Sequence, residues 1–98
     1  MVKVELSQEA DRDLVNILTY GADAFGWDSA EAYVAGFDRS FALLARHPEI
    51  GVLHEEFRPP IRSLPYGSHR LFYDVEPGCI IIRRVLHKSV DVGRWIDF

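Results

Sequence analysis

The spacing of the apolar residues divides most of this chain into two stretches. From Ala10 to Ala45 they recur at helical intervals, and from Ile61 to His87 they fall into strand-like runs. Helices first and strands after restrict the chain to an α+β architecture, in which the helices cover one face of a mainly antiparallel sheet. One strand precedes the helices, because Val2, Val4 and Leu6 alternate with Lys3 and Glu5. Ser7 is a natural N-cap, and Ala10, Leu14, Ile17, Leu18, Gly21 and Phe25 behind it predict a helix from Gln8 to the low twenties. Gly26 lies beyond its end. Asp28 and Glu31 form a capping box for a second helix, whose stripe runs Ala30, Tyr33, Val34, Phe37, Phe41, Leu44 and Ala45 before His47-Pro48 stops it. The short connection predicts an antiparallel helical hairpin.

Residues 49 to 60 read as a loop. Ile61 to Leu64, Ser68 to Val75 and Cys79 to His87 read as strands, separated by turns at Pro65-Tyr66-Gly67 and Glu76-Pro77-Gly78. A tail from Lys88 carries one helical turn around Asp91 to Trp95. The expected order is β-α-α-β-β-β, in a single domain spanning residues 1–98.

Composition narrows the function classes. No apolar run, Cys79 to Ile82 included, approaches the length of a membrane span, and the charged start Lys3-Val4-Glu5 is unlike an export signal. A cytoplasmic protein is expected. Cys79 is the only cysteine, so an internal disulfide and a cysteine-based zinc site are excluded. The four histidines share no ligand spacing with carboxylates, and there is no glycine-rich phosphate loop, so neither metal nor cofactor is expected. The net charge of −4 argues against a surface built to neutralise phosphates. It is unevenly spread: residues 1–49 hold four Lys/Arg against nine Asp/Glu, and residues 50–98 hold seven against six. Six of those seven cations are arginines, suited to an anionic partner.

Particular residues carry a family resemblance along nearly the whole chain. Leu6-Ser7-Gln8-Glu9-Ala10 with Asp13-Leu14 and Ile17, Phe25-Gly26 before Ala30 and Tyr33, and Pro48, Gly51, Arg58 and Ile61-Arg62 occur in order. They are followed by Gly67-Ser68-His69-Arg70-Leu71-Phe72-Tyr73 and by Arg84-Val85-Leu86-His87 with Asp91. These blocks resemble the ParE branch of the RelE/ParE toxin superfamily. The resemblance implies a toxin of a type II toxin–antitoxin system, neutralised by a ParD-like antitoxin usually encoded beside it, and touching DNA only through that antitoxin. ParE members are known for poisoning DNA gyrase, whereas RelE-like and YoeB-like members cut mRNA on the ribosome.

Cleavage of RNA without a metal needs a base, an acid and cations for the developing charge. Arg70, His87 and Glu56 (or Glu55) are similar to the YoeB-like set. The lysine-rich stretch of a RelE-like site is missing from His54-Glu55-Glu56-Phe57, and its C-terminal tyrosine from Lys88-Ser89-Val90. A binding inhibitor of gyrase is therefore the first reading and an mRNA endonuclease the alternative; a toxin-like subunit acting only in an autorepressing complex is the third. For the antitoxin, an exposed apolar groove near Tyr20, Phe25 and Tyr33 is expected, together with an arginine-bearing sheet presenting Arg62, Arg70, Arg83 and Arg84. For the target, the candidates are His87, Lys88, Asp91, Arg94 and Trp95.

More ordinary roles stand beside these. Tyr20, Tyr33 and Phe37 read as core, Trp27 and Trp95 as packing anchors, and His69 as a packing or edge residue. His87 is expected to orient the tail through Asp91 or to contact a partner. Adjacent Arg83 and Arg84 must point to opposite faces. The helix-facing one is expected to pair with Asp38 or Asp74, leaving the other free for the antitoxin.

Overall fold

The computed structural model describes residues 1–95; the side chain of Trp95 and residues 96–98 lie outside the described part. The elements are β1 (Lys3–Leu6), α1 (Gln8–Phe25), α2 (Trp27–Ala35), α3 (Phe37–Arg46), β2 (Val52–His54), β3 (Ile61–Tyr66), β4 (His69–Glu76), β5 (Cys79–His87) and α4 (Val92–Trp95). The strands make one sheet in the order β1-β5-β4-β3-β2. β1 runs parallel to β5, and the other pairs are antiparallel. The expected α+β arrangement, an N-terminal strand and helices on a mainly antiparallel sheet, is the one present.

Ser7 starts α1 as read from the sequence, its hydroxyl accepting the Ala10 N–H at 3.0 Å. Gly26, at φ 92°, lets the chain turn directly from α1 into α2. The hairpin closes tightly because Gly21 has no side chain; a Cβ there would lie 3.1 Å from that of Ala30. The capping box does not form. α2 begins at Trp27, ahead of Asp28, with no side-chain cap.

The second helix is also not continuous. It breaks at Gly36, where a Cβ would fall on the hydroxyl of Tyr66. That hydroxyl donates to the Tyr33 carbonyl at 2.7 Å, and the Tyr66 ring packs on Phe37 at 4.3 Å between centroids. The break lets α3 lie against β1 and β3 while α2 stays with α1. Gly36→Ala is expected to expel the Tyr66 ring and cost about 2 kcal/mol, as overpacking does. Adding Tyr66→Phe should recover part of that loss, which urea titrations of the single and double variants would measure.

Residues 49–60, read as a loop, include the short edge strand β2, which pairs with β3 from Val52↔Ser63 to His54↔Ile61. β3 continues through Pro65 and Tyr66, so the turn falls at Gly67-Ser68, with Gly67 at φ 53°. β5 has the limits the sequence predicts.

Both faces of the sheet are covered. The main core lies under the helices and joins Ala10, Phe37 and Leu44 to Leu71, Tyr73, Ile80, Ile82 and Val85. A smaller core on the other face joins Ile61, Phe72 and Leu86, with Phe57, Val90 and Val92 packed against it. Coverage on both sides explains why Leu71-Phe72-Tyr73 is apolar without alternation. The register slips once: Phe72 faces Arg84 and Tyr73 faces Ile82, so Arg83 is the extra residue of a β-bulge.

Candidate functional site

β1 pairs only with Cys79–Ile82, so the second half of β5 has no strand on that side. α1 starts at this point and diverges from the sheet. A groove of about 820 Å³ opens between the hairpin and the end of β5. α1 contributes Asp13, Asn16, Ile17, Tyr20, Gly21 and Phe25, and α2 contributes Ser29, Ala30 and Tyr33. Ser68 and His69 come from the start of β4, Arg84 to His87 from the end of β5, and Val90 from beyond it. Tyr20 and Phe25 project from the hairpin, 72% and 74% exposed, so Tyr20 is not the core residue its spacing suggests. Trp27 is 55% exposed and does not anchor packing.

The bulge sets the floor of the groove. It turns the Arg83 carbonyl and the Val85 N–H outward, where each meets α1. Ser7 donates its hydroxyl to the Arg83 carbonyl at 2.8 Å. Asp13 accepts the Val85 N–H at 2.9 Å, Arg84 Nε–H at 2.8 Å and Arg84 Nη2–H at 3.0 Å. The pair is largely shielded, with the Arg84 and Asp13 side chains 18% and 13% exposed. Hydrogen bonding to Asp13 raises the Arg84 pKa above its ordinary value, outweighing the opposing effect of burial.

The strict alternation expected of Arg83 and Arg84 is broken by the bulge, in which Arg83 is the extra residue; Arg84 stands opposite Phe72 in the register and reaches α1 along the edge of β5 that β1 leaves open. Its partner is Asp13, neither Asp38 nor Asp74. Arg83 is not left free, since it bonds Asp74 at 2.8 Å and approaches Glu76 at 3.6 Å.

The groove wall on the β4 side is a polar cluster around Tyr33. Its hydroxyl lies 2.7 Å from His69 Nδ1, 3.0 Å from the Ser68 N–H and 3.3 Å from the Tyr66 carbonyl. One hydroxyl satisfies all three when Ser68 and His69 Nδ1–H donate to it and it donates to Tyr66. Burial raises the Tyr33 pKa, partly offset by the Ser68 N–H. The His69 pKa is lowered, first by burial and then by the charge of His87 opposite.

The remaining sequence candidates scatter. Arg62 donates to the carbonyls of Glu49 and Gly51, away from the groove. Arg70 stacks over Phe72 at 5.2 Å on the second face, with its Nε buried and unbonded. Register puts His69 opposite His87 and Arg70 opposite Leu86, so Arg70 and His87 occupy opposite faces of the sheet. Glu56 is exposed and lies 3.8 Å from His54. The three residues of the YoeB-like set do not converge.

His87 does not bond Asp91. Its Nδ1 meets the Ser89 hydroxyl at 2.7 Å and accepts the Ser89 N–H at 3.1 Å, while Asp91 accepts from the Gly93 N–H at 3.2 Å. Lys88, Asp91 and Arg94 are exposed at the end of the described chain, and the Trp95 side chain, assigned to the target, lies outside the described part. Among the described residues, no three His, Cys, Asp or Glu side chains form a group that could hold a metal ion. No described helix is long and apolar enough to cross a membrane.

The residue that reading by candidates missed is Asp13. Its signal was present, for it is a carboxylate set among Ala10, Leu14 and Ile17 on an apolar stripe, where a charge requires a partner.

Comparison with known proteins bears directly on this architecture. Residues 4–92 match the family described as the ParE toxin of type II toxin-antitoxin system, parDE. The chain is 40% identical over 90 residues to Toxin ParE1 of Mycobacterium tuberculosis (strain H37Rv), covering 91% of this chain and 92% of that protein. It is 35% identical to Toxin ParE1 of Caulobacter vibrioides over 93% of this chain and 94% of the other. In fold it is similar to a chain of the chromosomal ParDE TA system from P. aeruginosa. The TM-score is 0.77 at 19% identity, covering 89% of this chain and 96% of that one. It also resembles a chain of the toxin-antitoxin complex RelBE2 from M. tuberculosis, with a TM-score of 0.58 at 24% identity, covering 91% and 93%. With these relatives matched over nearly their full lengths, and an N-terminal strand and helices on a mainly antiparallel sheet beneath the match, the chain belongs to the ParE toxin family of type II toxin–antitoxin systems.

Proposed function

We propose that a ParD-like antitoxin lays an amphipathic helix in the groove between α1, α2 and β5, and that the released toxin arrests growth by binding DNA gyrase without cutting RNA. The observation that carries the non-nucleolytic reading is the placement of Arg70 and His87 on opposite faces of the sheet. A base and a cation separated in this way cannot act on one phosphate. The apolar groove supports the antitoxin reading, because a face bearing Tyr20, Phe25 and Ile17 is what an amphipathic helix covers. In this reading the exposed residues His87, Lys88, Asp91 and Arg94, together with Trp95, meet the target. DNA is engaged only through the antitoxin, in keeping with the net charge of −4.

Purified toxin is expected to inhibit supercoiling by gyrase and to accumulate cleaved DNA, with added antitoxin reversing both effects. Unimpaired supercoiling at toxin levels that arrest cells would overturn the gyrase assignment. New breaks in ribosome-bound mRNA that disappear in both Arg70→Ala and His87→Ala would establish the endonuclease instead.

A further inference from the structure

His69 and His87 face each other across β4 and β5, with ring centroids 5.4 Å apart and planes at 85°, and both line the groove. Each ring has its Nδ1 committed, His69 to the Tyr33 hydroxyl and His87 to Ser89. Because a backbone N–H can only donate, Ser89 makes His87 Nδ1 an acceptor and places the ring hydrogen of the neutral form on Nε2. Among the described residues, neither Nε2 has a hydrogen-bond partner.

The other charged groups lining the groove are paired with each other, and the remaining titratable ones are phenols. Asp13 of α1 and Arg84 of β5 neutralise each other, while Tyr20 of α1, Tyr33 of α2 and Tyr66 of β3 contribute hydroxyls. Lys88, the next residue along, is exposed. Of the arginines that the sequence offered for an acidic partner, Arg83 and Arg84 are engaged with Asp13, Asp74 and Glu76, and Arg62 and Arg70 lie away from the groove. Anion-receiving capacity in the groove falls to the two imidazoles.

We propose that the His69–His87 pair receives a side-chain carboxylate of the antitoxin segment in the groove, and that binding is thereby coupled to uptake of a proton. The inference rests on the antitoxin reading above. A covering helix removes water from the His87 Nε2–H, and a buried donor without an acceptor is costly. A carboxylate supplies the acceptor. It also offsets the burial and the opposing charge of His87 that disfavour a charge on His69.

The sign follows from His69. In the free toxin, burial and the charge of His87 hold its pKa down, so the ring is largely neutral near neutrality. Beside a carboxylate its pKa rises, and the complex then holds more protons than the separate chains. Affinity must grow as pH falls through that interval, by at most about tenfold per pH unit for one proton.

The test uses the full-length toxin and the antitoxin encoded by the adjacent reading frame, titrated calorimetrically in buffers of different ionisation enthalpy. The expected result is net uptake of up to about one proton per toxin, with affinity rising several-fold from about pH 8 to about pH 6. Uptake should fall in His87→Gln, whose site is exposed, and vanish in His69→Gln/His87→Gln. No uptake, release of protons, or uptake unchanged in the double variant would overturn the proposal. Tyr20→Glu separates the two layers of inference. Unchanged binding of that variant removes the groove reading itself; weakened binding without proton uptake in the parent removes only the carboxylate.

Discussion

Asp13→Ala is expected to destabilise the toxin by about 3 kcal/mol, the scale of removing one partner from a shielded ion pair. The effect should exceed that of an ordinary surface ion pair, because one carboxylate serves three donors. It neutralises Arg84, which is only 18% exposed, and it accepts the Val85 N–H released by the bulge. Without it, a guanidinium and a backbone donor lose their acceptor at the junction of α1 and β5. Asp13→Asn keeps an acceptor for one donor and should cost less than alanine. Asp13→Leu combined with Arg84→Met should also cost less than Asp13→Ala, because no charge remains to be accommodated. Urea denaturation followed by circular dichroism ranks the three variants. Equal, small losses in all of them would mean that the pair is solvated and contributes little.

The same junction ties fold to function. Ser7 and Asp13 hold the start of α1 to the bulge, and the groove lies between the rest of the helix and the end of β5. Arg84 lies on the floor, Tyr33 and His69 form one wall, and Tyr20 and Phe25 stand at the rim. A large apolar residue that is three-quarters exposed gains nothing from folding. Two such residues beside a groove are better accounted for by a partner than by the toxin's own stability.

Much of this was legible in the chain because local rules decided it. Ser7, Gly26 and Pro48 bound the helices, and the stretch from Cys79 to His87, with its three successive isoleucines, needed no context to read as a strand. What escaped depended on contacts distant in sequence. Gly36 reads as a tolerated glycine within a helical stripe, and only the Tyr66 hydroxyl, thirty residues later, explains the break. β2 is three residues of mixed polarity that owe their conformation to pairing with β3. The bulge at Arg83 is a matter of register between two strands, and strand periodicity alone cannot place an extra residue. Tyr20 and Trp27 fit a helical stripe equally well whether the stripe meets the core or a partner, so their exposure was not readable from spacing. The arginines of β5 could be counted, but their engagement by Asp13 and Asp74 follows from how the helix and strands come together.

The groove can be tested without disturbing the fold, because its rim is exposed. Tyr20→Glu/Phe25→Glu should leave the melting temperature of the toxin nearly unchanged while weakening antitoxin binding at least about a hundredfold, as expected when two aromatic anchors are lost. The decisive measurement is the dissociation constant of this variant for the antitoxin, alongside that of the unchanged chain. The expected result is a folded toxin that the antitoxin no longer neutralises. A folded variant bound as tightly as the parent would show that the antitoxin lies elsewhere on the molecule.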